Sequence, residues 1–252
     1  MSRKVGRLGG SNIDVERDVI AALLGELRER QPVVLYLGDL PANDVVRVTR
    51  ALGAKAVTTL PERADGLPID VLVLAPGTVR AERRRELERA VVAARHWGVP
   101  TLIDAAGAGS GVHRTAAVQR TIQLALWPVI RATDAEAAAL TSSARSSKPS
   151  QHRRNLSRLA SALVRRGGIA VVTGERAVVT DGVRAFTVHN GHRALAVLPG
   201  AGYLATAVLG TFLAERAAQR VRNRRSLKAQ LLRELAAITP EDLHKTIQAQ
   251  RA

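Results

Sequence analysis

The sequence predicts an α/β fold in which a mainly parallel central sheet carries helices on both faces. Short apolar runs of the kind that form buried parallel strands alternate with longer segments of helical period through the first 170 residues. Glycine or proline closes most of these runs. Apolar residues make up 46% of the 252 residues but aromatic residues only 2%, so we expect a full core packed by alanine, valine, leucine and isoleucine.

Each predicted strand is a short apolar run. In chain order these runs are 33–37, 54–58, 71–74, 101–103, 128–130 and 169–172. Predicted helices cover 12–30, the segment up to 52, 79–97, a segment from about 134, and a segment from 156 that ends at 167–168. Asn12 is the expected N-cap of the first helix, and Gly53 suits the left-handed position that follows a helix C-terminus.

The pattern changes in the C-terminal half, where short runs with turn signals predict β-hairpins. The turn signals are Asp181-Gly182 and Asn190-Gly191. The following stretch, 194–214, contains no charged residue and is long enough to permit a membrane span. Because prolines and glycines interrupt its first half, we predict instead a loop and then a buried helix after Gly202.

Charge and composition divide the chain into three parts. We expect a flexible basic arm at 1–11, a single α/β domain at 12–220 and a basic helical segment at 221–252. Within the domain, residues 141–155 should form an exposed polar loop. The formal net charge is +16, of which +5 falls in the first 150 residues and +11 in the rest. This excess attracts phosphate-rich partners but does not identify a function.

The chain contains no cysteine. This excludes disulfides, thiolate zinc sites and a cysteine nucleophile, and it fits a reducing compartment. No apolar region follows the basic residues near Met1, so no secretory signal is predicted, and the expected location is the cytoplasm.

Four motifs follow predicted strands, which is where a parallel sheet places its ligand sites. They are Asp104 with the glycine loop 107–109, Arg131 with Thr133 and Glu136, Thr173 with Gly174, and Pro199-Gly200-Ala201-Gly202-Tyr203 before the apolar helix. Carboxylates suit Mg²⁺, arginine and hydroxyl groups suit phosphate, and the free N–H groups of a helix N-terminus suit an anion. Phosphoryl transfer needs this combination.

Each motif also has a purely structural interpretation. Asp104 could cap a strand-to-loop turn, and Thr173-Gly174 could form a turn before a hairpin. Thr133 could cap a helix whose dipole is favoured by the acidic residues of its first turn. A single GxG before a helix is a weak signal by itself.

In their order and spacing, the four motifs resemble the hydroxyethylthiazole kinase family, which has the ribokinase-like fold. The resemblance covers about residues 30–215 and includes the Leu-Gly-Ala segment at 52–54, the hairpin at 180–182 and the Asn-Gly-His segment at 190–192. It implies ATP- and Mg²⁺-dependent phosphorylation of the hydroxyl of 4-methyl-5-(2-hydroxyethyl)thiazole, a thiamine salvage reaction. It also implies a homotrimer with its sites between subunits.

The resemblance implies a role for each matching residue. The carboxylates that would organise Mg²⁺ are Asp104 and Glu136, and the residues that would contact ATP are Arg131, Thr173 and Gly174. The thiazole alcohol would lie against Asn43, Thr58 and Gly200. The anion hole would be formed by Gly200, Ala201 and Gly202, with Tyr203 at the catalytic position.

The sequence departs from the family pattern at several of these positions. After the GxG, active members carry a cysteine or aspartate that takes the proton of the substrate hydroxyl, whereas this chain carries Tyr203. A phenol has a pKa near ~10, so it is a poor base at neutral pH. Thr133 replaces an asparagine, Ala105 a proline and Thr58 a methionine, and residues 36–38 replace an Ile-Thr-Asn tripeptide.

Two alternatives to the kinase therefore stay open. The first is a non-catalytic relative that binds nucleotide or a thiazole-like ligand, which Tyr203 favours. The second is a nucleic-acid-binding protein that uses the basic run 216–233, including Arg222, Arg224 and Arg225. His189 and His192 flank an Asn-Gly turn, and we expect them to be exposed turn residues rather than a metal site.

Overall fold

The computed structural model describes residues 17–60, 69–77, 80–141, 160–164, 168–174, 176–188 and 199–218. The helices are α1 (Arg17–Arg30), α2 (Ala42–Leu52), α3 (Ala81–Trp97), α4 (Val112–Leu124), α5 (Asp134–Leu140) and α6 (Ala201–Ala218). The strands are β1 (Val33–Gly38), β2 (Lys55–Val57), β3 (Val71–Ala75), β4 (Thr101–Asp104), β5 (Val129–Thr133), β6 (Ile169–Thr173), β7 (Ala177–Thr180) and β8 (Ala185–Val188).

The strands form one eight-stranded sheet in the order β2-β1-β3-β4-β5-β6-β7-β8. The pairs from β2 to β6 are parallel, and β7 and β8 add antiparallel strands at one edge. The predicted mainly parallel sheet is confirmed. The predicted hairpin at Asp181-Gly182 is confirmed as well, because it joins β7 to β8 with Gly182 at a φ of +87°.

The order in which strands are added to the sheet changes direction between β1 and β3. From β1 the chain moves outward to β2, and it then returns across β1 to β3, from which the following strands continue in the other direction. Neighbouring parallel strands at such a switch point send their connections to opposite faces, which opens a crevice at their carboxyl ends. This crevice lies between the ends of β1 and β3.

Alternating residues of the buried strands supply two cores. On one face, Val34 and Tyr36 of β1 pack with residues of α6, and on the other face Leu35 and Leu37 pack with α3. The predicted apolar stripe of α3 is confirmed, since Leu87, Val91 and Ala94 are buried. The sheet is therefore covered on both faces, as the continuous apolar runs require.

Helix α6 is apolar around most of its circumference because it is enclosed on several sides. Ala207 and Leu213 pack towards the sheet, while Val208 and Phe212 pack against leucines of α1 and α2. Such a helix belongs in a protein interior. None of the described helices combines the length and the hydropathy that crossing a bilayer requires.

Two features differ from the sequence-based predictions. Helix α4 was not predicted, because the sequence analysis assigned no element between the glycine loop at 107–109 and the strand at 128–130. Helix α6 begins at Ala201 rather than after Gly202, so Gly202 lies within its first turn.

Several predictions fall on residues outside the described ranges. These are the basic arm at 1–11, most of the polar loop at 141–155, the hairpin at Asn190-Gly191, His189 and His192, the basic run beyond residue 218, and both predicted domain boundaries.

Candidate active site

The centre of the candidate site is an ion pair between two neighbouring strands. Asp104 is the last residue of β4, and the sheet register places it directly opposite Arg131 of β5. Arg131 Nη1 donates to Asp104 Oδ1 at 3.2 Å. Asp104 is fully buried and Arg131 is 6% exposed, so each charge depends on the other for compensation.

Two further elements close around this pair. Thr173, at the end of β6, accepts a hydrogen bond from Arg131 Nη2 at 3.1 Å. Thr206 of α6 donates to Asp104 Oδ2 at 2.6 Å. A Cβ on Gly202 would lie 2.8 Å from Arg131 Nη1, so the guanidinium lies directly against the first turn of α6. Segments from four distant parts of the sequence therefore meet at one point.

Glu136 connects the start of α5 to the glycine loop that follows β4. The side chain of Thr133 accepts from the Glu136 N–H, and Glu136 Oε2 accepts from the Thr133 N–H at 2.8 Å, which forms a capping box at the start of α5. Glu136 Oε1 also accepts from the N–H of Gly107 at 3.2 Å. The structural interpretation of Thr133 as a helix cap is confirmed, and Glu136 holds the glycine loop that follows β4.

The arrangement has unused capacity to bind an anion. Arg131 Nε is buried and has no hydrogen-bond partner among the described residues. The first turn of α6, which the guanidinium contacts, presents N–H groups without intrahelical partners. Gly200, with a φ of +81°, leads the chain into this turn. An unmatched buried donor costs free energy, and the free N–H groups at a helix N-terminus are donors that suit a phosphate.

The two carboxylates predicted to organise Mg²⁺ differ in availability. Both oxygens of Asp104 already accept hydrogen bonds, from Ala106, Arg131 and Thr206, and its charge is compensated. Each oxygen of the half-buried Glu136 accepts one backbone N–H and keeps a free lone pair. Within the described ranges no group of three or more metal-ligating side chains occurs. These residues fit a magnesium ion that is held mainly by nucleotide phosphates and water, with Glu136 as the available carboxylate.

Tyr203 occupies the third residue of α6 and is half-buried beside the cluster. Burial raises the pKa of its phenol, the negative charges of Asp104, Asp39 and Glu136 raise it further, and Arg131 partly opposes them. The phenol therefore keeps its proton at neutral pH, where it can donate a hydrogen bond but cannot act as a base.

Three of the predicted ligand residues are exposed at the carboxyl edge of the sheet. Asn43 is exposed in the first turn of α2, and Thr58 is exposed just after β2, both at the carboxyl edge of the sheet. Gly174 is exposed after β6, next to Thr173. No hydrogen bond among the described residues connects Asn43 or Thr58 to the Asp104–Arg131 pair. Their predicted roles stay predictions.

Two residues of this region were missed by the sequence analysis. Thr206 carries a hydroxyl in the apolar first half of α6, one turn after Gly202, and that spacing was the available signal. Asp39 directly follows the strand β1, as Asp104 ends β4, so the strand-end rule that selected the other residues applies to it as well.

Comparison with known proteins shows which family this chain is similar to. The model of the hydroxyethylthiazole kinase family matches residues 24–250. A hydroxyethylthiazole kinase of Desulforudis audaxviator is 29% identical, and the match covers 95% of this chain and 98% of the relative.

Solved structures show a similar fold. The hydroxyethylthiazole kinase of Pyrococcus horikoshii has a TM-score of 0.67 at 24% identity, over 90% of this chain and 96% of that one. The pyridoxal kinase of Bacillus subtilis, solved as an ADP complex, has a TM-score of 0.58 at 15% identity, over 80% and 88% of the two chains. These neighbours support the ribokinase-like fold. On the family match and this architecture, the chain belongs to the hydroxyethylthiazole kinase family.

Proposed function

We propose that this protein transfers the γ-phosphoryl group of ATP to the hydroxyl of 4-methyl-5-(2-hydroxyethyl)thiazole, with Mg²⁺ as cofactor. The observation that carries the proposal is the convergence of Asp104, Arg131, Thr173 and the first turn of α6 at the carboxyl edge of the sheet. Family membership supports the reaction type, and the ADP complex of the B. subtilis neighbour supports an adenine nucleotide.

The chain's own groups suit the charge changes of phosphoryl transfer. The guanidinium of Arg131 and the N–H groups at the start of α6 would hold the oxygens of the moving phosphoryl group. Glu136 would contact water bound to Mg²⁺, which arrives with the nucleotide and neutralises phosphate charge. Thr206 and Thr173 fix the Asp104–Arg131 pair, so the donors are oriented before the nucleotide binds.

Tyr203 favours a second candidate, a non-catalytic relative that binds nucleotide or a thiazole-like ligand. A phenol stands where active family members carry a proton acceptor, and burial and the nearby carboxylates raise its pKa further. A loose phosphoryl-transfer transition state asks little of a base, however, so we keep slow catalysis as the first candidate.

A phosphoryl-transfer assay on Tyr203 variants separates the two candidates. The wild-type protein should transfer phosphate from ATP to the thiazole alcohol slowly. Tyr203→Cys and Tyr203→Asp should raise kcat about tenfold or more, because each supplies a better proton acceptor. Tyr203→Phe, which keeps the ring but removes the hydroxyl, is the matched control and should retain the wild-type rate.

Ligand-induced shifts in Tm complete this experiment. If ATP and the alcohol raise the Tm of the wild-type protein but no variant transfers phosphate, the non-catalytic candidate is correct. A wild-type rate equal to that of Tyr203→Cys would show that the phenol does not impede the reaction.

The oligomeric state belongs to the same proposal. The resemblance implies a homotrimer with its sites between subunits, and we propose this state for the protein in solution. Light scattering coupled to size-exclusion chromatography should give a mass near three times 26.9 kDa.

A further inference from the structure

A groove runs along the outer surface between α3 and α4, on the face of the sheet opposite α6. Along α3 its lining residues extend from Glu82 to Trp97, which is about four helical turns or roughly 22 Å. On the α4 side, Arg120 Nε lies 3.6 Å from Glu88 Oε1 of α3. A long groove that is open to solvent suits a helical peptide better than a small molecule, which needs a pocket that encloses it.

The floor of this groove is apolar and partly open to solvent. Trp97 and Leu124 are half-buried and pack against the core cluster beneath α3. Val92, which lines the groove between the two helices, is 57% exposed. Two more exposed apolar residues, Leu126 and Trp127, follow Leu124 closely in the chain. Exposed apolar side chains that cluster in a groove, unlike single scattered ones, are typical of interaction surfaces.

The rim of the groove carries an excess of positive charge. Arg85 and Arg89 line it on consecutive turns of α3, and both are exposed. Neither forms an ion pair within the ranges that the structure describes. Like charges four residues apart on a helix repel each other, so an anionic partner would relieve a repulsion as well as add an attraction.

The two helices as a whole have the same excess. Helix α4 contains two arginines and no carboxylate, and α3 contains five arginines against three glutamates. Of the glutamates that line the groove, Glu88 is already paired with Arg120. The surface therefore combines an apolar strip with a basic border, and its complement is an apolar strip with an acidic border.

We propose that the α3–α4 groove binds an amphipathic acidic segment of a partner protein, with apolar side chains on Val92, Trp97 and Leu124 and carboxylates beside Arg85 and Arg89. A nucleic acid would match the arginines, but its charged backbone would leave the apolar floor without a complement. A second copy of this chain would bring the same excess of arginine to the contact. The inference goes beyond the proposed function and does not depend on it.

The position of the groove leaves the candidate active site open. Because α3 and α4 follow parallel strands, both run from the carboxyl edge of the sheet towards the amino edge. The apolar floor belongs to the C-terminal ends of these helices, whereas Asp104 and Arg131 lie at the carboxyl edge. A partner held in the groove would bring the protein to a particular place without blocking access to the site.

Fluorescence anisotropy with a designed peptide tests the proposal. The probe is a fluorescein-labelled peptide made of two copies of Leu-Glu-Glu-Leu-Leu-Glu-Glu, whose leucines form one helical face between glutamates. The wild-type protein should bind it saturably with a Kd below about 100 μM. A peptide with every glutamate changed to glutamine, and another with every leucine changed to serine, should each bind about tenfold more weakly or worse.

Variants of the protein locate the binding surface. The double change Arg85→Glu and Arg89→Glu should raise the Kd about tenfold or more, because it turns attraction into repulsion. Val92→Asp should raise it similarly through the floor. Arg47→Glu is the matched control, since it makes the same charge change at an exposed position of α2, and it should change the Kd less than about twofold. All these side chains are exposed, so the Tm should stay near the wild-type value.

Several results would overturn the proposal. Absence of saturable binding, equal binding of the glutamine peptide, or an equal effect of Arg47→Glu would exclude a specific acidic groove. Displacement of the probe by single-stranded DNA as effectively as by unlabelled peptide would assign the surface to phosphate-rich partners. A change in the protein's own mass by light scattering in the Arg85→Glu and Arg89→Glu variant would assign it to contacts between copies of this chain. Because the readout is binding, failure of phosphoryl transfer would leave this test unaffected.

Discussion

Arg131 shows how one side chain can serve the fold and the site together. Its guanidinium balances the buried charge of Asp104, bonds to Thr173 and supports the first turn of α6. Removing one partner of such a buried pair typically costs about 3–5 kcal/mol, because the other charge is left uncompensated. Its Nε atom is buried and has no hydrogen-bond partner among the described residues, so the guanidinium is not fully satisfied by the fold.

Gly202→Ala tests the contact between α6 and this guanidinium. The new Cβ would lie 2.8 Å from Arg131 Nη1, so the guanidinium must shift away from Asp104 and Thr173. We expect a loss of about 1–3 kcal/mol in the free energy of unfolding, measured in urea, and a loss of nucleotide binding.

Gly25→Ala is the control for this change. Gly25 lies inside α1, and a Cβ there meets no atom within 4 Å. The variant should gain about 0.5–1 kcal/mol from helix propensity. Equal effects of the two substitutions would contradict the proposed crowding at Gly202.

At the scale of single elements, α5 is short, and its stability depends on the capping interactions at its N-terminus. It spans seven residues, and the capping box between Thr133 and Glu136 satisfies donors that would otherwise lack partners. Because Glu136 also holds Gly107, the start of α5 fixes the position of the glycine loop after β4. The stability of this helix and the shape of the site are therefore linked.

Thr133→Ala measures this link. The variant loses the side-chain acceptor for the Glu136 N–H, and we expect the free energy of unfolding in urea to fall by about 1 kcal/mol. Thr133→Ser keeps the hydroxyl and should remain within a few tenths of a kcal/mol of the wild type. A serine variant as unstable as the alanine variant would show that the methyl group, and not the cap, is what matters.

Most elements could be predicted because their hydrophobic patterns are strong. The strands are continuous apolar runs, and α3 carries a regular stripe that includes Leu87 and Val91. Helix α4 escaped prediction because its fully buried face consists of Ala117, Val118 and Thr121, which give almost no apolar period. A glycine-rich segment before it also favoured a loop.

The sequence predicted several residues of the site but not the contacts between them. Strand ends selected Asp104, Arg131 and Thr173, since parallel strands bring their carboxyl ends to one edge. The pairing of Asp104 with Arg131 depends on sheet register, which places them opposite each other, and a single sequence does not contain that information. The same limit explains why Thr206 and Asp39 were missed.

At the scale of the whole molecule, Tyr36 connects three elements, one of which is distant in the sequence. It belongs to β1, its hydroxyl is 2.6 Å from Thr49 Oγ1 of α2, and it lies 3.4 Å from the carbonyl of Ala207 in α6. Burial raises the pKa of Tyr36 from 10.0 to about 12, although the hydrogen bond to Thr49 opposes this shift. The folded protein thus holds this proton more tightly than the unfolded chain does.

This raised pKa makes stability depend on alkaline pH. Below pH 10 both states keep the proton; as the pH rises from 10 towards 12, the unfolded chain releases it first, so the free energy of unfolding falls. We expect Tyr36 to contribute a loss on the order of 1 kcal/mol between pH 9 and pH 11, measured by urea unfolding.

Tyr36→Phe provides the control for this dependence. The variant should be less stable than the wild type at pH 9 but should show a flatter decline up to pH 11. The chain has two tyrosines, and the pKa of Tyr203 is also raised, so part of the decline should persist. An unchanged slope in Tyr36→Phe would mean that Tyr36 does not control it.

The position of α6 in the chain has a consequence for biosynthesis. One face of β1, β3 and β4 is covered by a helix that begins only at Ala201, and Asp104 gains its Thr206 partner from the same helix. A ribosome therefore exposes a broad apolar face and an incomplete ligand pocket until it has released nearly the whole described chain. Nascent chains stalled before this helix should bind chaperones that recognise apolar surface, and they should bind no nucleotide.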